Sequence, residues 1–177
     1  MSESVARKIL VVDDEQNVIN ALRRSLRREG YEVFTCTDAS AALELLGTIS
    51  VDLVISDHLM PNMTGLEFLK RVRTRFPDSM RLMLTGHADM QTAIEAINQG
   101  EIYRFLTKPW DDNELKITLY LAFEQLGLER ENRRLLSMLR QQGEVIARLE
   151  QNHPGITTIV RDSSGAILLD ESLARAS

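Results

Sequence analysis

The sequence contains a single cysteine, Cys36, so it can form no internal disulfide and offers no second thiolate to a structural zinc site. Its histidines, at positions 58, 87 and 153, lack the spacing of a metal-ligand cluster. Aromatic residues are scarce, at 5% of the chain, yet 44% is hydrophobic, which excludes disorder throughout and points to a core of aliphatic side chains. Long apolar runs are missing. Ile9 to Val12 is typical of those present, far short of a membrane span or a signal-peptide core, and Met1 to Lys8 is polar, so a cytosolic protein is expected. Basic excess is missing too. The net charge is −5, with 14 basic against 18 acidic residues up to Phe123 and 7 against 8 after it. Autonomous binding to a phosphate backbone is disfavoured by that balance, so no direct nucleic-acid partner is expected.

What is present is alternation. Up to about Phe123, five short β-rich runs alternate with helical stretches, the pattern of an α/β domain with a parallel sheet. The strands read as Lys8 to Val12, Tyr31 to Cys36, Asp52 to Ser56, Arg81 to Thr85 and Tyr103 to Thr107. The first and third are nearly continuous Ile, Leu and Val, so both faces of each should be buried. The first helix is predicted from about Asn17 to a stop at Gly30, with Val18, Ile19, Leu22 and Leu26 inward. Asp38 is placed to cap a second helix ending near Gly47, Gly65 precedes a third with Leu66, Leu69 and Val72 inward, and Asp89 is a candidate cap for a fourth running through Met90, Ala93, Ile94 and Ile97 to a stop at Gly100.

After Lys108-Pro109-Trp110, Asp111 and Asp112 open a helical pattern with no proline until Pro154, so about forty residues can form one helix of roughly 60 Å. Written as heptads, Leu121, Leu128, Leu135, Gln142 and Leu149 fall at d, and Gln125, Asn132, Leu139 and Ile146 at a. A buried Asn at a fixes register in parallel dimers, so Asn132 favours a parallel homodimer through 121–149; Gln125, Gln142 and Gly143 weaken the same seam. An amphipathic helix folded back on its own domain is the alternative. Beyond Asn152-His153-Pro154-Gly155, the runs Ile156 to Arg161 and Ala166 to Asp170 flank Asp162-Ser163-Ser164-Gly165, a hairpin signal. An isolated hairpin is barely stable in water, so this tail needs something to pack on. The expected organisation is a domain over 7–123, a coiled coil over 124–152 and a hairpin tail over 153–177.

In an open parallel sheet, ligands bind outside the carboxyl ends of the strands. Strand one ends in Asp13-Asp14-Glu15, strand three in Asp57, strand four in Thr85 and strand five in Lys108. Carboxylates gathered at one rim repel one another unless a hard cation neutralises them, and an all-oxygen cluster suits Mg²⁺. A central Asp57 beside such a cation can attack a phosphoryl group and hold it as an acyl phosphate, with Lys108 pairing to the phosphate and Thr85 donating a hydroxyl hydrogen bond.

Four motifs then carry a resemblance: Ile-Leu-Val-Val-Asp-Asp-Glu at 9–15, Leu-Val-Ile-Ser-Asp-His-Leu-Met-Pro-Asn-Met-Thr-Gly at 53–65, Met-Leu-Thr-Gly-His at 83–87 and Phe-Leu-Thr-Lys-Pro-Trp at 105–110. In this order and at strand ends, they resemble the receiver domain of bacterial two-component response regulators over roughly residues 7–123. The resemblance implies a flavodoxin-like, doubly wound five-stranded sheet of order 2-1-3-4-5. It implies Asp57 as phosphoacceptor, Asp14 directly on Mg²⁺, Asp13 mainly through water, and the backbone carbonyl of Leu59 as a further metal ligand. Thr85 and Lys108 match the phosphate-sensing pair, Phe105 the rotating switch aromatic, and Lys108-Pro109 is expected to be cis. Phe105 replaces the frequent tyrosine, so its switching must work by packing alone. Leu59 and His87 flank the path of the hydrolytic water.

Taken singly, each signal has a plainer reading: Asp13-Asp14 as a capping pair, Thr85-Gly86 as turn chemistry, Lys108 and His87 as surface residues. It is the constellation that outweighs them. Arg23, Arg24, Arg27 and Arg28 read as a solvated face, or as the docking face for a histidine kinase or histidine phosphotransfer protein, since the family uses its first helix for such contacts. After Phe123 there is no helix-turn-helix, Walker loop, GGDEF or EAL string, or HD followed by GYP. The chain is therefore expected to be a signalling phosphoacceptor, with only self-phosphorylation and self-dephosphorylation chemistry, that switches a coil and tail by binding an unidentified downstream protein. The alternative is a phosphorelay intermediate or phosphate sink without output. A haloacid-dehalogenase-type phosphatase would need aspartate at Leu59, and a nicotinamide-binding fold would need a Gly-x-Gly-x-x-Gly after strand one.

Overall fold

The computed structural model describes residues 6–153. Five strands, β1 (Lys8–Val12), β2 (Glu32–Cys36), β3 (Leu53–Asp57), β4 (Met80–Thr85) and β5 (Arg104–Thr107), form one parallel sheet of order 2-1-3-4-5. This is the flavodoxin-like order that the resemblance implies, and every strand lies within one residue of its sequence-based limits. The central strands are the most apolar: Ile9 to Val12 and Leu53 to Asp57 are buried throughout. β1 pairs with β2 and with β3, and in the latter ladder Val12 stands beside Ser56, which aligns the carboxyl ends of both strands at one rim.

Alternate strand residues feed two hydrophobic layers. One unites Ile9, Val11, Leu53, Ile55, Leu82 and Leu84 with helices α1 (Gln16–Leu26) and α5 (Asp112–Asn152). The other unites Leu10, Val12, Val54 and Met83 with α2 (Ala39–Leu46), α3 (Gly65–Arg75) and α4 (Met90–Asn98). Each fully buried Leu or Ile in these layers contributes about 2 kcal/mol of transfer free energy.

The helix ends show where local sequence signals held. Asp38 caps α2 by accepting from the Ala41 N–H at 2.8 Å. Three expectations need correction. α1 ends at Leu26, and Gly30, at φ +74°, closes the turn that follows it. Asp89 makes no side-chain cap hydrogen bond, because His87–Asp89 form a single 3-10 turn ahead of α4. Ile94 is 40% exposed, and the inward face of α4 is made by the small residues Ala93 and Ala96.

The predicted long helix is present as α5. Cα packing divides the chain into two units, Met1–Arg130 and Glu131–Ser177. In the first, α5 packs past Phe123: Leu126 is buried, and the Arg130 guanidinium reaches Asp52 Oδ1 at 2.7 Å. In the second, Leu135, Leu136, Met138, Leu139, Val145, Ile146 and Leu149 are all exposed along the helix. The hairpin expected over 156–170 lies outside the described residues.

Candidate phosphoacceptor and metal site

The ends of β1, β3, β4 and β5 bring the residues singled out from the sequence to one rim. Asp13 directly follows β1 and is buried; its N–H donates to the Cys36 carbonyl at 3.3 Å, which ties it to the end of β2. Its Oδ1 accepts from the Glu15 N–H at 2.9 Å. Asp57, the last residue of β3, is also buried, and its Oδ2 accepts from the Leu59 N–H at 3.1 Å. Lys108 follows β5, and its N–H donates to the Thr85 carbonyl at 2.8 Å, holding the ends of β4 and β5 together. The ammonium of Lys108 lies 2.7 Å from both Asp13 Oδ2 and Asp57 Oδ1. The Lys108-Pro109 bond is cis.

Burial raises the Asp13 pKa, and hydrogen bonding and charge from Lys108 offset this only in part. For Lys108, burial pulls the pKa down, but hydrogen bonds to Asp13 and Asp57, and their charges, outweigh it and raise the pKa above its ordinary value. The ammonium therefore stays charged far above neutral pH.

Asp13, Asp14 and Asp57 each present an oxygen within 4.8 Å of the others'. Asp14 is exposed, and its carboxylate has no ion pair or hydrogen bond among the described residues. Three carboxylates thus share one ammonium. That surplus of negative charge, and a donor set made only of oxygen, fit a hard divalent cation such as Mg²⁺.

Thr85 is fully buried at the end of β4 and its hydroxyl donates to the Gly86 carbonyl at 3.2 Å, long for an O–H···O bond. Phe105 is half-buried, in register with Met83 and packed on the second hydrophobic layer. Leu59 is 63% exposed and His87 is exposed, so neither side chain is packed into the site.

Two supports escaped the sequence reading. Gly65 opens α3 so close to β3 that a Cβ there would lie 1.8 Å from the Asp57 carbonyl oxygen, and the Gly65 N–H donates to the His58 carbonyl at 2.8 Å. The cap of α3 is Thr64, whose side chain and that of Glu67 each accept from the other's backbone N–H. The Thr64-x-x-Glu67 spacing carried that signal; the close approach at Gly65 had none.

Residues 9–120 match the response regulator receiver domain. The chain belongs to this family. The chain is 39% identical over 132 residues to the hydrogenase transcriptional regulatory protein HoxA of Cupriavidus necator, covering 75% of this chain and 27% of that protein. The regulatory protein AtoC of Escherichia coli is 30% identical over 94% of this chain and 36% of its own length. The chain thus spans about a third or less of these relatives. Among solved structures, the signal receiver domain of an HD domain-containing protein from Pseudomonas fluorescens Pf-5 superposes with TM-score 0.69 at 40% identity, covering 74% of this chain and 96% of that one. Receiver domains bind Mg²⁺ in an acidic pocket of the kind formed here by Asp13, Asp14 and Asp57.

Proposed function

We propose that this receiver accepts a phosphoryl group on Asp57 from a histidine kinase or histidine phosphotransfer protein, and acts in the cytosol as a response regulator. The observation that carries this reading is the convergence of Asp57 and Asp13 on the Lys108 ammonium at 2.7 Å, with Asp14 unpaired beside them. An Asp57 carboxylate oxygen attacks phosphorus, the bond from phosphorus to the donor imidazole breaks, and the departing imidazole takes a proton. Asp14 and Asp57, with the Leu59 carbonyl and Asp13 in support, are the residues that would hold Mg²⁺, which neutralises charge on the phosphoryl oxygens. Lys108 exchanges its hold on the Asp57 carboxylate for the phosphoryl oxygens, and Thr85 turns its hydroxyl toward them. Phe105 then takes up space on the packed side of β5, altering the surface of α4, β5 and α5.

The exposed arginines at 23, 24, 27 and 28 offer the donor protein a basic face. The output in this reading is a parallel dimer through 121–149, with the tail over 153–177 recognising a downstream protein. Its support is the apolar helix face beyond Arg130. Asp57→Asn is expected to abolish acid-labile, hydroxylamine-sensitive labelling from acetyl phosphate in the presence of Mg²⁺. Labelling retained in that variant overturns the assignment.

A further inference from the structure

Next in the chain after the proposed phosphoacceptor is an imidazole that the chemistry above does not use. His58 is 8% exposed, and its Nδ1 is buried with no hydrogen-bond partner among the described residues. Buried nitrogens of this kind are uncommon in folded proteins, where such groups are paired by protein or water. Its backbone is well held: the His58 N–H donates to the Leu84 carbonyl at 2.9 Å, and the carbonyl accepts from Gly65 at 2.8 Å.

The register of the sheet says what lies beside it. Ser56 pairs with Met83 and Asp57 with Leu84, where the ladder ends; His58 follows β3, and continuing the register by one step would set it beside Thr85, the last residue of β4. Registered neighbours in a parallel ladder share a face of the sheet; by alternation Thr85 lies on the face of Met83, in the layer against which Phe105 packs, and the same alternation carried one residue past β3 assigns His58 to the face of Val54. Thr85 is the other underpaired group there, fully buried with its hydroxyl on a single 3.2 Å bond to Gly86. Two poorly satisfied polar groups therefore occupy adjacent strand ends, one of them the proposed phosphate sensor.

We propose that His58 is a positioning residue for Thr85: in the phosphorylated state Nδ1–H donates to Thr85 Oγ1, which commits the hydroxyl proton to the phosphoryl oxygen. A threonine hydroxyl has one proton and can accept as well as donate. A donor on its acceptor side leaves that proton only the phosphoryl oxygen or Gly86 to bond. Successive hydrogen bonds polarise one another, so the bond to phosphate strengthens when the one behind it forms. Phosphorylation thereby satisfies a nitrogen that the unphosphorylated protein leaves bare, and the switch gains a bias toward its active arrangement.

This inference rests on the assignment of Asp57 as phosphoacceptor, and the test separates the two. Beryllofluoride with Mg²⁺ is titrated into the full chain, read by the fluorescence of the single tryptophan, Trp110, half-buried near Lys108. His58→Phe is expected to weaken beryllofluoride binding about five- to ten-fold, the worth of one neutral hydrogen bond. On a Thr85→Ala background the same substitution should have no effect. His58→Asn, whose amide nitrogen falls near the Nδ1 position, should restore binding, whereas His58→Gln should not. An equal loss in both backgrounds, undiminished binding in His58→Phe, or equal behaviour of Asn and Gln overturns the proposal. Acetyl phosphate labelling run alongside tests the underlying assignment: wild type that takes no label at Asp57 refutes the phosphoacceptor reading instead.

Discussion

Single residues here act through where the backbone puts them. Asp13, Asp57 and Lys108 come from positions as much as 95 residues apart, yet they share hydrogen bonds of 2.7 Å because each ends or follows a strand of one sheet. Lys108 is the counterion that makes two buried carboxylates tolerable, since an unpaired buried charge is costly. Gly65 is as closely constrained as any charged residue. Its missing side chain lets the start of α3 lie against the Asp57 carbonyl, and any Cβ must displace main chain. Gly65→Ala is therefore expected to cost about 3 kcal/mol in urea denaturation, since backbone cannot yield as a side-chain tip does. It should also slow labelling of Asp57, by shifting the strand end that carries it.

At the scale of elements, the helices differ in how far local chemistry specifies them. α3 carries a complete capping box, and Thr64→Ala should lower stability by about 1 kcal/mol in thermal or chemical unfolding. The same box gives a pH dependence of known sign. The Glu67 pKa is lowered, first by the hydrogen bond from the Thr64 backbone and then by that from its side chain. A carboxyl lowered in the folded state stabilises above its unfolded value, near 4.5, and loses that contribution as pH falls through the folded value. The difference in stability between wild type and Thr64→Ala should accordingly shrink below about pH 4.5, and a constant difference would show that the Glu67 half of the box contributes nothing. α4 stands at the other extreme. It lacks a side-chain cap, begins after a 3-10 turn and buries mainly alanines, so tertiary packing holds it. In the proposed switch, a lightly anchored helix next to β4 and β5 would be free to shift with Thr85 and Phe105.

At the scale of the whole molecule, the question is what the apolar face beyond Arg130 meets. Seven large apolar side chains from Leu135 to Leu149 are exposed along 131–152, more than scattered surface leucines would place on one helix. With dimerisation through this segment, Leu139→Glu together with Ile146→Glu puts charges at two a positions and should convert a two-chain species to a single chain in sedimentation equilibrium. Labelling at Asp57 should be unchanged. A wild-type chain that sediments as a monomer at all concentrations would remove the coil from the output.

The alternation of apolar runs, the carboxylates and lysine at predicted strand ends, and the helical pattern beyond Asp112 were legible because each depends on residues near one another in the chain. Periodicity, capping spacing and turn chemistry are local quantities, and they placed every strand to within a residue. What needed three dimensions was proximity between distant segments. That Lys108 bridges both Asp13 and Asp57, that Gly65 rests against a carbonyl eight residues before it, and that a buried His58 nitrogen has no partner among the described residues follow from chain packing and interatomic distance. The missing side-chain cap bond at Asp89, which does occupy the N-cap position of α4, and the outward Ile94 have the same origin. Propensity suggests which residues can end or bury a helix, but packing against the sheet decides which of them do.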